Sequence, residues 1–336
     1  ATPHLDDLAR EGILFTHFYS GSPVCAPARS VLMTGKHTGH TTVRGNFGQG
    51  GVRGLGGGEG RVPLQDEDTT LAEVLGSAGY ITAMTGKWGL GDPGTTGLPN
   101  DQGFDHWFGH LNQRRAHNHF TDYLWRDTTR YPLPANANGA EVIYSHDLFT
   151  DFAMEFIRRE VSAPNPFFLY LPWLLPHDAY QIPEIHPDYV DQDWPMDAKV
   201  HASMVRRIDR DVGRLVQLLD SLQIRNQTLI CITSDNGAAQ RWDGIFDSSG
   251  ALRGRKRDVY EGGIRAPMII SMPGTIPFRQ TDHTPWYMAD IMPTFADMAQ
   301  FQKLPAGDGR SLWPRISGQD TIAADNRVLY LSLIHI

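Results

Sequence analysis

Three short runs in this sequence are almost wholly apolar: Phe167-Phe168-Leu169-Tyr170-Leu171, Thr228-Leu229-Ile230-Cys231-Ile232-Thr233 and Pro267-Met268-Ile269-Ile270-Ser271. Runs this short without polar alternation are the mark of strands covered on both faces. Helical patterns lie between them. His146 to Glu160 places Leu148, Phe149, Phe152, Phe156 and Ile157 on one side, and Asp197 to Leu222 reads as one long helix. Strands that alternate with helices predict an α/β fold, with a mostly parallel central sheet and helices on both faces. Ligands of such sheets sit beyond the carboxyl ends of the strands, so the chemistry is expected at the residues that follow each apolar run.

The remaining elements fit this frame. Thr2 is the expected N-cap of an opening helix with Pro3 in its first turn. Ile13 to Tyr19 reads as a strand. Thr70 and Glu73 have the spacing of a capping box, for a helix expected to end at Gly79, and Ile81 to Met84 is the next strand. Residues 92–140 are long, irregular and aromatic, as functional loops often are. Residues 45–60 are rich in glycine, with Arg44, Arg53 and Arg61 interspersed. They lack the strand-to-helix frame and Gly-Lys-Ser/Thr ending of a phosphate loop. Pro285 to Ala299 is expected to be helical, with Pro293 as an interruption.

The 336 residues suffice for a large core, and a formal charge of −8 argues against a general nucleic-acid or anionic-membrane binder. Cys25 and Cys231 are the two cysteines, which exclude a disulfide framework and a cysteine-based zinc site. No apolar run is long enough to span a bilayer.

The segment Ser22-Pro23-Val24-Cys25-Ala26-Pro27-Ala28-Arg29 to Thr34-Gly35-Lys36 draws attention first. Pro27 suits a first helical turn and Gly35 suits a helix stop. Cys25 then stands at a helix start, where free N–H groups and the dipole attract anions, and Arg29 follows one turn later. The pattern describes either a nucleophile that acts on an anionic substrate or a small buried cysteine before an ordinary helix. Cys25-Ala26-Pro27-Ala28-Arg29 resembles the Cys-x-Pro-x-Arg signature of the formylglycine-dependent sulfatases. In that family the cysteine is oxidised to Cα-formylglycine. One hydroxyl of the aldehyde hydrate attacks sulfur, and the other later helps expel sulfate. The resemblance implies that Arg29 stabilises this hydrate.

Four further motifs follow strand ends in the order of that family. Thr85-Gly86-Lys87-Trp88-Gly89 resembles its second signature, whose lysine contacts both the formylglycine and the sulfate. Gly89 departs from the histidine usual there, and His117, from Arg114-Arg115-Ala116-His117-Asn118-His119, is expected to take over its role. His177, after Leu174-Leu175-Pro176, is either a cation that holds a sulfate oxygen or the acid that protonates the departing alcohol. Ser234-Asp235-Asn236-Gly237 could be a simple turn. A carboxylate beside an amide oxygen also suits a hard cation, and the resemblance makes Asp235 and Asn236 two of four protein ligands to Ca²⁺ or Mg²⁺. Lys256, in Arg253-Gly254-Arg255-Lys256, corresponds to a lysine that bridges the sulfate and the leaving oxygen. Asp308-Gly309-Arg310-Ser311-Leu312 matches a later family segment.

The resemblance implies an alkaline phosphatase-like sulfatase fold over residues 1–330, exported to the periplasm or outside the cell, and matured by a formylglycine-generating enzyme that binds transiently. The expected reaction is hydrolysis of sulfate monoesters, on a sulfated carbohydrate. Arg114, His119, Trp242 and Arg253 are the substrate-binding candidates, because aromatics and fork donors suit sulfated rings. The alternatives are a phosphate or phosphonate monoester hydrolase of the same superfamily, marked by Asp-His in place of Asp235-Asn236, and a non-catalytic glycan-binding relative. Two further expectations concern the ends. A first strand with paired aspartate ligands and a small C-terminal subdomain are expected to be missing, since Asp6 and Asp7 lie on the opening helix. Residues 331–336 read as a sequencing-adapter scar.

Overall fold

In the computed structural model, residues 2–46, 62–239, 242, 244–319 and 327–331 are described. Most of the glycine-rich stretch, including Arg53 and Arg61, and nearly all of the suspected scar lie outside these residues. The chain opens with α1 (Pro3–Arg10), β1 (Ile13–Tyr19) and α2 (Cys25–Thr34). Next come α3 (Leu71–Ser77), β2 (Ile81–Lys87), β3 (His106–His110) and the strands β4 (Tyr123–Arg126) and β5 (Thr129–Pro132). After α4 (Ser145–Glu160), β6 (Phe167–Tyr170), α5 (Pro187–Val190), α6 (Met196–Ser221) and β7 (Ile230–Ile232), the chain closes with α7 (Glu261–Ile264), β8 (Arg265–Ser271), β9 (Gln280–Asp282), β10 (Trp286–Tyr287), α8 (Ile291–Met298) and α9 (Trp313–Ile316).

The α/β expectation holds, but the sheet is mixed and divided. One five-stranded sheet runs β10-β1-β8-β7, with β9 also on β1, and the other runs β5-β4-β3-β2-β6. β2 pairs in parallel with β3, reached through the long connection 88–105, and with β6, which follows α4. β8 is antiparallel to both β1 and β7, and β4 is antiparallel to its neighbours β3 and β5. Alternating side chains feed two helical layers. Phe15, Met268, Ile270, Phe168, Tyr170 and Cys231 pack with α2, α3 and α8, whereas Leu14, Ile269, Phe167, Leu169, Ile230 and Ile232 face α1, α4 and α6.

β6 and β7 were expected to be buried on both faces, yet every residue of both is half-buried. The reason is the division of the sheet. Among the described residues β6 pairs with β2 alone and β7 with β8 alone, and the free edges of both line one cavity of about 1840 Å³. Both strands nonetheless supply side chains to the same two helical layers, so the cavity occupies a gap in an otherwise continuous arrangement.

Local rules explain most boundaries. Gly35 ends α2 with φ of +64°, and its N–H bonds the Val31 carbonyl. Pro293 does not interrupt a helix. Residues 286–287 form β10 instead, and α8 begins at Ile291, so Pro293 falls in its first turn, where no N–H is needed. The capping box at Thr70 is complete: its hydroxyl accepts from the Glu73 N–H at 3.2 Å, and the Thr70 N–H donates to Glu73 at 2.7 Å. Thr2 differs, because its hydroxyl caps no backbone group and donates to Asp6 at 3.3 Å. Replacement of Thr70 by Ala should therefore lower unfolding free energy by about 1–2 kcal/mol in urea denaturation, and Thr2→Ala by less than about 0.5 kcal/mol. Equal losses would contradict this account of the two helix starts.

Candidate active site

The chain leaves β1 at Tyr19 and reaches Cys25 through a buried turn; Ser20, Ser22 and every residue of α2 are shielded from solvent. The sulfur of Cys25 lies 3.7 Å from Asn236 Oδ1. Burial and the Asp235 carboxylate both push the thiol up, but Lys87, a hydrogen bond with His177 and Lys256 outweigh them and bring it down to about 6. One turn into α2, Arg29 donates from Nε to Asp235 Oδ2 at 3.0 Å and from Nη1 to the Lys87 carbonyl. That guanidinium joins the start of α2 to the ends of β2 and β7.

Lys87 ends β2 three residues beyond the expected strand end at Met84, and its side chain is buried. Burial lowers its ammonium to about 8, partly offset by Cys25 and Asp235. Asp235 lies three residues beyond the end of β7. Arg29, Lys87 and Lys256 overcome its burial and hold its carboxyl well below the usual range. The loop with Lys256 is pinned by backbone bonds, from Lys256 N–H to the Ala238 carbonyl at 2.8 Å and from Arg257 N–H to the Pro23 carbonyl at 3.1 Å. Gly237 makes this approach possible, since a Cβ there would come within 2.0 Å of the Gly262 carbonyl oxygen.

His117 and His177 meet with ring centroids 4.4 Å apart. His177 Nδ1 lies 2.7 Å from Asp178 Oδ1. Burial lowers the pKa of His177, but its bonds to Asp178 and Cys25 prevail and raise it. Burial together with the neighbouring His177 and Lys87 lowers His117 to about 4. Within the pair the proton is therefore held more firmly by His177 than by His117.

The candidate substrate residues are not all exposed to a ligand. His119 is fully buried, and its Nε2 donates to the His177 carbonyl at 3.1 Å, so it braces the loop of His177 instead of reaching outward. Trp242 is buried in an aromatic group with Tyr180 and His201, at centroid distances of 5.0 and 5.3 Å, and packs there. Arg253 is exposed and lies over the Tyr260 ring at 3.7 Å, and Arg114 is exposed beside the short turn Arg115–His117. The space over Gly89 is filled by Gln113, whose Oε1 would be 2.3 Å from a Cβ at that glycine. His117 therefore does not stand over Gly89, but against His177. Gln113 and Asp178 were missed in the sequence; each adjoins a candidate, but neither residue type is distinctive in a loop.

Asp235 and Asn236 offer a carboxylate and an amide oxygen, side by side, close to Cys25. These are hard donors of the kind a divalent cation takes, and they fit one in part: such an ion needs about six to eight oxygens, and Asp235 is engaged by Arg29. Lys87, Lys256 and His177 would surround an anion bound beside it.

A family model described as Sulfatase matches residues 1–301. N-acetylgalactosamine-6-sulfatase of Canis lupus familiaris is 33% identical over 314 residues, covering 89% of this chain and 57% of its own length. Arylsulfatase G of Mus musculus is 29% identical over 368 residues, covering 98% of this chain and 66% of its own length. The chain thus spans less than two-thirds of these curated relatives. Among solved structures, that of Ps i-CgsB in complex with k-i-k-neocarrahexaose superposes with a TM-score of 0.75 and 28% identity, over 95% of this chain and 71% of the other. With most of its length matched by the family model, and with Cys25, Lys87, Asp235 and Asn236 gathered at the strand ends, the chain belongs to the sulfatase family.

Proposed function

We propose that the whole protein hydrolyses sulfate monoesters of a sulfated carbohydrate, with residue 25 as the nucleophile after its oxidation to Cα-formylglycine by a maturation enzyme. The observation that carries this reading is the position of Cys25, buried against Asn236 and hydrogen-bonded to His177, with Lys87 and Lys256 close enough to stabilise negative charge there. Asn236, where a phosphonate hydrolase pattern has histidine, favours the sulfate reading and Ca²⁺ over a softer metal. The proposed location is the periplasm or the cell exterior, as the resemblance implies; among the described residues, no helix is long and apolar enough to cross a membrane.

The formylglycine hydrate would supply a hydroxyl nucleophile and a second hydroxyl for release of sulfate, and a cation on Asp235 and Asn236 would draw charge from the sulfate oxygens. The chain's own side chains divide the remaining work. Lys87 and Lys256 hold sulfate oxygens, and Arg29 fixes both Asp235 and the end of β2. His177, with its raised pKa, is suited to protonate the departing alcohol. His117, with its lowered pKa, is suited to accept the proton of the second hydroxyl.

We extend the proposal to the gap in the sheet. A further strand, apolar along its length and with carboxylates at its carboxyl end, would pair with the free edges of β6 and β7. The alternation of Phe167, Phe168, Ile230 and Cys231 between two helical layers supports this, and so does the small number of oxygen donors beside Cys25 among the described residues.

Three measurements test these readings. Peptide mass spectrometry of protein made beside a formylglycine-generating enzyme should find the aldehyde at position 25, and Cys25→Ser should lower turnover by at least about a thousandfold; an intact thiol in active protein would refute the nucleophile. Calorimetry on residues 1–336 should show no Ca²⁺ binding tighter than about 1 mM, with tight binding restored in a protein that supplies the strand; micromolar affinity in residues 1–336 would remove the case for it. The pH profile of kcat should fall as pH drops through about 4, the region in which His117 gains its proton and stops acting as a base. Loss of that limb in His117→Ala is expected; an unchanged profile would assign the base elsewhere.

A further inference from the structure

A second cavity, of about 560 Å³, shares no lining residue with the one beside Cys25. It is nevertheless close to the chemistry. His110, on its wall, is the register partner of Lys87 across β2 and β3. The short turn Arg115–His117 presents Arg115 to this cavity and His117 to His177. Its volume lies within the range of small-molecule sites, about 300–1,000 Å³.

The lining is cationic and ordered. Arg115 is tied to Asp122 and lies 3.5 Å from the centroid of the Tyr123 ring, and Arg130 lies 4.7 Å from the same centroid. The tyrosine face thus holds guanidiniums in place. Among the described residues, Arg115 is the arginine of this lining that has an ion-pair partner, so Arg114 and Arg130 can receive an anionic group. His110 is 1% exposed, and neither ring nitrogen has a hydrogen-bond partner among the described residues. Burial lowers its pKa to about 3. A neutral imidazole offers one donor and one acceptor, the complement of a hydroxyl group. A buried polar ring without partners needs a reason, and a ligand hydroxyl supplies one.

We propose that this cavity is a second saccharide subsite, which seats the ring next to the one that bears the scissile sulfate, with a ring hydroxyl on His110 and an anionic substituent on Arg114 and Arg130. The inference rests on the carbohydrate sulfatase reading above. It makes the preferred substrate an anionic oligosaccharide rather than an isolated sulfated monosaccharide.

The test compares mature full-length protein with Arg130→Gln on sulfated tetrasaccharides from chondroitin, heparin and carrageenan, and on the corresponding monosaccharide sulfates. Arg130 lies outside the catalytic group and is exposed, so the variant should fold. The expected result is a rise of roughly tenfold in KM for the best tetrasaccharide, with kcat and the monosaccharide KM within about twofold of the unmodified protein. Equal effects on one-ring and four-ring substrates, or no effect on either, would overturn the subsite. If no substrate releases sulfate, the hydrolase reading fails by itself. Calorimetric titration of the same tetrasaccharides then decides the subsite: a loss of about tenfold in affinity in Arg130→Gln supports it, and equal or absent binding overturns it.

Discussion

Arg29 is the residue on which the geometry of the site depends. Its guanidinium, almost out of solvent, ties α2 to Asp235 after β7 and to the carbonyl of Lys87 at the end of β2. A buried ion pair gains little over an apolar replacement, because both charges surrender water. Removal of one partner alone is costly, about 3–5 kcal/mol, since the other charge stays behind without compensation. Here the pair belongs to a larger balance. Lys87 and Lys256 also face Asp235 and Cys25, and the positive side chains exceed the single carboxylate among them. The surplus is what an anionic substrate would neutralise.

The two histidines extend the same logic. His117 and His177 are close enough to repel each other when both are protonated, and Asp178 bonds His177 but reaches His117 only through its charge. The proton is therefore held more firmly by His177. One asymmetric neighbour thus helps move two like groups in opposite directions. His119, buried beneath, holds the backbone of His177 and so maintains the asymmetry without reaching the substrate.

Much of this site was legible because its residues occur in short segments that follow strands: Cys25 to Arg29, Lys87, His177, and Asp235 with Asn236. Local rules also fixed Gly35 and the Thr70 capping box. What could not be read depended on tertiary context. Nothing local distinguishes a histidine that faces substrate from His119, which braces a loop, or an exposed tryptophan from Trp242, which packs with Tyr180 and His201. Pro293 was misread for a related reason: the same residue breaks a helix in its middle and begins one comfortably, and only the position of β10 decides which. The apolar composition of β6 and β7 marked them as strands but overstated their burial, because each lies at a sheet edge; strand pairing depends on partners distant in sequence, so those edges, the direction of β8 and the division of the sheet were not visible.

The divided sheet bears on how such a protein is made in a cell. Two strand edges, each with apolar side chains above and below, present unpaired backbone groups toward a common opening. Such edges accept almost any extended apolar segment, including one from a neighbouring nascent chain. The order in which segments emerge and dock therefore matters. If the proposed strand docked early, it would close the opening before other chains could enter, whereas late docking would leave the interior of the protein as its most adhesive surface.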